Sequence, residues 1–177
     1  VAFYELFNEP ALDQARDYPA DYTIDDWMTW KTLMEELIDA IRVNDPDKVV
    51  MVGGFQFAYD LSFVPQAPID RPNVVYTTHP YPDVDWQKDW VTAFGDVARE
   101  FPVFATEFGY DVVGFPESAF NGEGVYNEEL AKIFSERGIG WTAWSFSHAM
   151  TPRLLETEDF TPTPAGTFVR TQLSSSP

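Results

Sequence analysis

Two carboxylates stand in matching local settings. Phe3-Tyr4-Glu5-Leu6-Phe7-Asn8-Glu9-Pro10 is an apolar, aromatic run that stops in Asn8-Glu9-Pro10, and Pro102-Val103-Phe104-Ala105-Thr106-Glu107-Phe108-Gly109 has the same grammar much later in the chain. Each reads as a short buried strand that delivers an acid at its end. Pro10 stops the first ladder because it has no N–H to give. Acids at matching ends of two buried strands suit glycoside cleavage by double displacement, in which one carboxyl donates a proton and the other attacks. Retention of configuration requires the two carboxyl groups about 5–5.5 Å apart, whereas a gap beyond roughly 6.5 Å points to inversion or a dead site. Asn8 and Glu9 are adjacent, and side chains alternate along a strand, so both reach one cleft only if the strand ends or bulges there. Glu5 shares parity with Glu9 but lies a pleat deeper. A buried, unpaired carboxylate is costly, so Glu5 is expected to be structural, either protonated or hydrogen-bonded.

The elements that must position these acids alternate along the chain. A first strand over residues 2–8 is followed by a polar loop from Pro10 to Thr23. A helix capped by Thr23 or Asp25 comes next. Its apolar residues Trp27, Trp30, Leu33, Met34, Leu37, Ile38 and Ile41 recur at three and four, so one face is buried. Asn44-Asp45-Pro46-Asp47 ends it with turn chemistry. Lys48 to Gly53 is a continuous, β-branched run, the pattern of a strand covered on both faces. A glycine-opened loop carries Phe55, Phe57 and Tyr59, which serve equally as local packing or as sugar platforms. Asn73 to Thr78 is the third strand and runs into His79-Pro80-Tyr81-Pro82. A helix over 85–100 presents Trp86, Trp90, Val91, Phe94 and Val97 on one side. The fourth strand is Val103 to Thr106, the next helix Val125 to Arg137, the fifth strand Trp141 to Phe146, and a short closing helix lies near Ala165–Leu173. With no second composition zone and no internal repeat, residues 1–177 read as one domain. Its alternation predicts a parallel sheet with crossover helices, an α/β fold.

Composition narrows the classes. The chain of 177 residues is 45% hydrophobic and 16% aromatic, enough for one sizeable core. A formal net charge of −18 excludes a phosphate-tracking nucleic-acid binder and disfavours an anionic membrane surface, but does not repel a neutral polysaccharide. The chain has no cysteine, so thiolate metal sites and cysteine nucleophiles are out. No run approaches the roughly 18 apolar residues of a membrane span. His79 and His148 are too far apart for a local metal motif. Asp13, Asp17, Asp21, Asp25 and Asp26 lack the glycine-centred spacing of a calcium loop and read as solvated surface.

Four segments, in order, carry a resemblance. Asn8-Glu9-Pro10, His79-Pro80-Tyr81, Thr106-Glu107-Phe108-Gly109 and Trp144-Ser145-Phe146 resemble the marks on strands four, six, seven and eight of the glycoside hydrolase family 5 cellulases and mannanases, members of clan A with (β/α)8 barrels. The resemblance covers essentially the whole chain but only strands four to eight of the barrel, which implies a partial TIM barrel, (β/α)5-like. An arginine of the second strand and a histidine of the third have no counterpart here. By resemblance Glu9 is the acid/base and Glu107 the nucleophile. Asn8 bonds the sugar 2-hydroxyl, His79 contacts substrate or the acid/base, and Tyr81 orients the nucleophile. Trp144 floors the adjacent sugar subsite and is followed by a cis peptide. No metal or organic cofactor is implied.

The expected function is a retaining β-glycoside hydrolase acting on a β-linked oligo- or polysaccharide. Two other readings share the same residues: a non-catalytic carbohydrate-binding descendant, and a fragment competent only beside an N-terminal half. Five strands leave two open edges, with Phe7, Val75 and Val103 incompletely packed. Such edges are templates for association, so a homo-oligomer is expected.

Overall fold

In a computed structural model of the chain, residues 1–10, 22–82, 89–110 and 125–175 are described. They fall into two compact units, each drawn from two stretches of chain: Val1–His79 with Trp86–Phe104, and Pro80–Asp85 with Ala105–Pro177.

The first unit is built on β2 (Val49–Gly53), whose Val50, Met51 and Val52 are all buried, as a two-sided apolar run demands. β1 (Phe3–Glu5) pairs with it in parallel, Tyr4 opposite Val50, and β3 (Val74–Thr78) pairs in parallel on its other side, Met51 opposite Val75. The Tyr76 N–H donates to the Pro102 carbonyl at 2.9 Å, which carries the ladder toward β4 (Val103–Ala105).

The crossover helix α1 (Ile24–Arg42) starts at Thr23. That residue and Asp26 form a reciprocal capping box, which satisfies two donors that the first turn leaves open. Trp27, Trp30, Met34 and Ile38 form its buried face, while Leu33 is exposed. Both indoles are anchored: Trp30 Nε1–H donates to the Gly53 carbonyl at 3.0 Å and Trp27 Nε1–H to that of Ala67 at 2.8 Å. Asp13, Asp17, Asp21 and Trp86 lie outside the described residues.

Several expectations are corrected in this unit. β1 is shorter than the expected 2–8, ending at Glu5 with one further ladder bond from Leu6 N–H to the Met51 carbonyl at 3.1 Å. Among the described residues β1 has β2 as its one strand neighbour, so Glu5 is exposed rather than buried and Phe7 is 47% exposed. A cavity of about 430 Å³ opens beside it, lined by Tyr4, Leu6, Leu37, Ala40 and Ile41. The second correction concerns the loop after β2. Gln56, Phe57 and Ala58 take φ values of 53°, 60° and 63°, three successive non-glycine residues in the left-handed region. Phe55 and Asp60 exchange both backbone hydrogen bonds (3.0 and 2.9 Å) and clamp that turn. A Cβ on Gly54 would stand 2.1 Å from the Asp60 carbonyl oxygen, so no larger residue fits. Phe55 stacks on Tyr22 at 4.4 Å and is fully buried, as is Tyr59, so both belong to the core. Phe57 alone of the three aromatics reaches the surface. The third correction is the expected helix over 85–100, whose described part consists of a π turn, Val91–Gly95, and a 3-10 turn, Val97–Arg99. Val103, expected to be loosely packed, is buried.

In the second unit, α2 (Val125–Arg137) has the expected bounds. β5 is only Gly140–Trp141, not Trp141 to Phe146; the Thr142 N–H donates to Ala105 O at 2.9 Å, and regular pairing stops there. Phe108 packs edge-on against Phe134 (5.5 Å) and Trp141 (5.3 Å). The last helix, α3 (Pro164–Ser175), runs slightly longer than expected. Among the described residues no helix is long and apolar enough to cross a membrane.

Candidate active site

Each acid singled out in the sequence has a partner within its own unit. In the first, β1 has already ended when the chain reaches Asn8 and Glu9, so the alternation of a strand no longer constrains them. Both are exposed at residue level. The Glu9 carboxylate Oε1 lies 3.0 Å from His79 Nδ1. The imidazole follows β3 directly and its side chain is only 1% exposed, against 33% for Glu9. On its other side, Nε2 is 3.9 Å from Glu5 Oε1, whose side chain is 25% exposed. The root of the ring is held by the left-handed turn and the residue after it: His79 N–H donates to the Ala58 carbonyl at 3.3 Å, and Thr78 Oγ1–H to that of Tyr59 at 3.0 Å. Thus the segments that follow β1 and β3 are joined by a carboxylate–imidazole contact across 70 residues of chain.

In the second unit, the Tyr81 hydroxyl donates to Glu107 Oε2 at 2.8 Å. A charge-assisted bond of this kind fixes the carboxylate's orientation. Tyr126 donates its own hydroxyl to the Pro80 carbonyl, which ties down the segment that carries Tyr81. Trp144 is partly exposed, its N–H donates to the Phe108 carbonyl at 2.9 Å, and the Trp144–Ser145 peptide is cis, the form the resemblance implied. A Cβ on Gly109 would meet the Trp144 carbonyl oxygen at 2.4 Å. Close approach, then, accounts for this glycine, and Gly138 is the glycine with positive φ among the described residues. Sequence reasoning missed the Glu5–His79 contact and the Tyr126 anchor. The shared parity of Glu5 and Glu9 was the signal for the first; nothing local signals the second.

The elements alternate between β and α, with Glu9 in the segment that follows β1 and Glu107 in the segment that follows β4. The family described as cellulase (glycosyl hydrolase family 5) matches residues 1–150, and the chain belongs to that family. It is 30% identical over 132 residues to endoglucanase E-5 of Thermobifida fusca, a match covering 68% of this chain and 27% of that protein. It is 28% identical to endoglucanase A of Evansella cellulosilytica, covering 98% of this chain and 35% of the relative. Among solved structures, a β-glucanase from Saccharophagus degradans superposes with a TM-score of 0.83 at 34% identity, covering 98% of this chain and 54% of that one. The same β-glucanase in complex with cellotetraose gives 0.82 at 33% identity. The chain therefore has the fold of part of a TIM barrel. It spans about a third or less of these curated relatives and about half of the solved chain.

Proposed function

We propose that this chain, as a single truncated barrel domain over residues 1–177, hydrolyses β-linked glucan with retention of configuration. The reading rests on membership of the cellulase family and on the cellotetraose complex of the S. degradans relative. The observation that carries it is the pairing of each acid with one residue of the His79-Pro80-Tyr81 segment: Glu9 with His79, and Glu107 with Tyr81. A nucleophile and an acid/base need different partners. A hydroxyl that donates to Glu107 keeps one oxygen engaged and aims the other, which suits attack on the anomeric carbon. An imidazole beside Glu9 can both donate and accept, which suits a carboxyl that gives up and regains a proton.

In the first displacement Glu107 forms a bond to the anomeric carbon while Glu9 protonates the departing glycosidic oxygen. In the second, Glu9 takes a proton from water, the oxygen of that water bonds the anomeric carbon, and the bond to Glu107 breaks. Asn8 bonds the sugar 2-hydroxyl, and Trp144 offers an apolar plane to the C–H face of a pyranose. We also propose that the chain works as a homo-oligomer, since β1 leaves an apolar edge open.

The test is kinetic. Glu107→Gln should abolish turnover of a β-glucoside while leaving oligosaccharide binding nearly intact. Glu9→Gln should slow substrates with poor leaving groups most, because only those need the proton. Equal and small losses in both variants would overturn the assignment. Binding of cellotetraose by the unmodified chain without any turnover would make it a carbohydrate-binding module instead.

A further inference from the structure

The run Trp144-Ser145-Phe146 ends in a residue to which the reaction above gives no task. Phe146 is 73% exposed, and Phe160, 64% exposed, lies against it with ring centroids 5.9 Å apart and planes 18° from parallel. Each stacked ring covers at most one face of the other, so an open aromatic face stands in water on the second unit. The backbone keeps both rings there. Ser145 and Ser147, on either side of Phe146, accept from Leu154 N–H (3.0 Å) and Leu155 N–H (3.2 Å), and both leucines are buried. Phe160 sits in a turn closed by its own N–H to the Thr157 carbonyl (3.3 Å) and by Glu156 N–H to the Thr161 carbonyl (2.8 Å). Asp159 braces that turn by accepting from the Thr157 and Thr161 hydroxyls. The φ of Phe160 is 66°, a left-handed value that a bulky aromatic rarely takes. Such backbone persists where its surroundings impose it, and it is concentrated at sites that meet ligands.

We propose that Phe146 and Phe160 form a second sugar platform, which seats a glucosyl unit of a β-glucan beyond the unit over Trp144. The inference rests on the glucan reading and adds a site to it. Phe146 follows Trp144 by two residues, so their Cα atoms are at most about 7 Å apart, a spacing on the scale of neighbouring sugar rings. A pyranose presents an apolar C–H face and a rim of hydroxyls. The site offers the counterpart of each. The phenyl pair supplies the plane, and His148 and Glu158, each two residues from one of the rings, supply polar groups beside it, with Nε2 3.8 Å from Oε1. Exposed apolar surface rimmed by polar groups in this way marks an interaction site. Charge decides against a second copy as the occupant. Glu156, Glu158 and Asp159 crowd the turn that presents Phe160, on a chain of net charge −18. A copy docked through the same face would set these carboxylates against their like, whereas a neutral glucan brings no charge.

Calorimetric titration with cello-oligosaccharides from cellobiose to cellohexaose tests this, in the Glu107→Gln background where the unmodified chain consumes them. Affinity should rise with chain length. Phe146→Ala and Phe160→Ala should each weaken cellohexaose binding about tenfold and flatten the dependence on length. Phe146→Tyr, which keeps the flat ring, should bind as the unmodified chain does, and Phe146→Leu, which keeps only apolar bulk, should behave like the alanine variant. Should Phe160→Ala disturb its turn, the contrast of tyrosine with leucine at position 146 decides. No binding of cellohexaose by the unmodified chain, unchanged affinity in both alanine variants, or equal affinities in the tyrosine and leucine variants overturns the proposal. So does a dimer that Phe146→Ala dissociates while sugar binding stays as it was. Turnover of a β-glucoside with no gain from chain length keeps the glucan reading and sinks the platform. Length-dependent binding that the variants weaken, in a chain without turnover, keeps the platform and sinks hydrolysis.

Discussion

At the scale of single residues, Gly109 is a position where packing leaves little choice. Its missing side chain is what lets the Trp144 carbonyl approach, since a Cβ would lie 2.4 Å from that oxygen and the neighbour is backbone, which yields less readily than a side chain. Gly109→Ala is expected to cost about 1–3 kcal/mol, in line with overpacking of a closed site, and to displace the backbone that carries Trp144. Urea unfolding would measure the first effect and titration with cellotetraose the second; unchanged midpoint and affinity would refute both. The glycine was legible in the sequence, but its reason was not. A one-dimensional pattern shows that a side chain is absent, not which distant carbonyl fills the space. Glu5 shows the opposite failure. Period-two parity put it on the face of Glu9, whereas its exposure depends on how many neighbours β1 has, which no local pattern states. The contacts of His79 with Glu9 and of Tyr81 with Glu107 were legible only through the resemblance of their segments, since no local pattern pairs residues so far apart in the chain.

At the scale of elements, β3 offers a test that depends on pH. The Tyr76 hydroxyl is buried and accepts the Ile69 N–H at 2.7 Å. Burial, only partly offset by that hydrogen bond, pushes its phenol from 10.0 up to about 12. A folded-state value above the unfolded one means that the stabilisation is intact below about pH 10 and is lost as pH rises through about 12. Tyr59 is raised too, by burial and then by the charges of Asp60 and Asp89, so it contributes in the same direction. Tyr76→Phe leaves the Ile69 N–H without its acceptor and should cost about 1–3 kcal/mol at neutral pH. The variant's stability should also fall less steeply than the wild type's in the alkaline range. Denaturant midpoints at neutral and alkaline pH would show this, and parallel pH curves for the two proteins would contradict it. Among the elements, α1 and β2 were readable because their apolar periods are long and unbroken, and α2 because its span was bounded by a glycine-containing stretch on each side. The left-handed turn at Gln56–Ala58 was not. Left-handed backbone is normally announced by glycine, and here the stabilising contacts come from Asp60 and from β3, not from the turn's own residues. The described part of the 85–100 segment buries Phe94 and Val97 in a π turn and a 3-10 turn and not in a regular α-helix, since periodicity specifies a buried face and not a hydrogen-bond ladder.

At the scale of the whole molecule, the exposed apolar surface along β1, with Phe3, Phe7 and the cavity beside it, faces a net charge of −18. Apolar contact favours association of copies and like charge opposes it. The expected outcome is a homo-oligomer burying on the order of 2,000 Å² per interface, weak at low ionic strength and tighter as salt screens the repulsion. Sedimentation at low micromolar concentration across a salt series decides it; a monomer at every salt would dismiss the idea. The alternation of strand and helix was readable over most of the chain. The division into two units was not, because it is set by which segments pack together and not by any break in composition. That division has a consequence for synthesis. The chain passes between units at His79–Pro80, at Asp85–Trp86 and at Phe104–Ala105, so neither unit is a continuous piece of chain. As the polypeptide leaves the ribosome, the first unit lacks part of itself until Phe104 has emerged. Pro80–Asp85, already made, is grouped with residues from Ala105 onward, which are made later. The two units therefore mature in an order the gene imposes, and a ribosomal pause placed between residues 86 and 104 should lengthen the life of a half-built first unit.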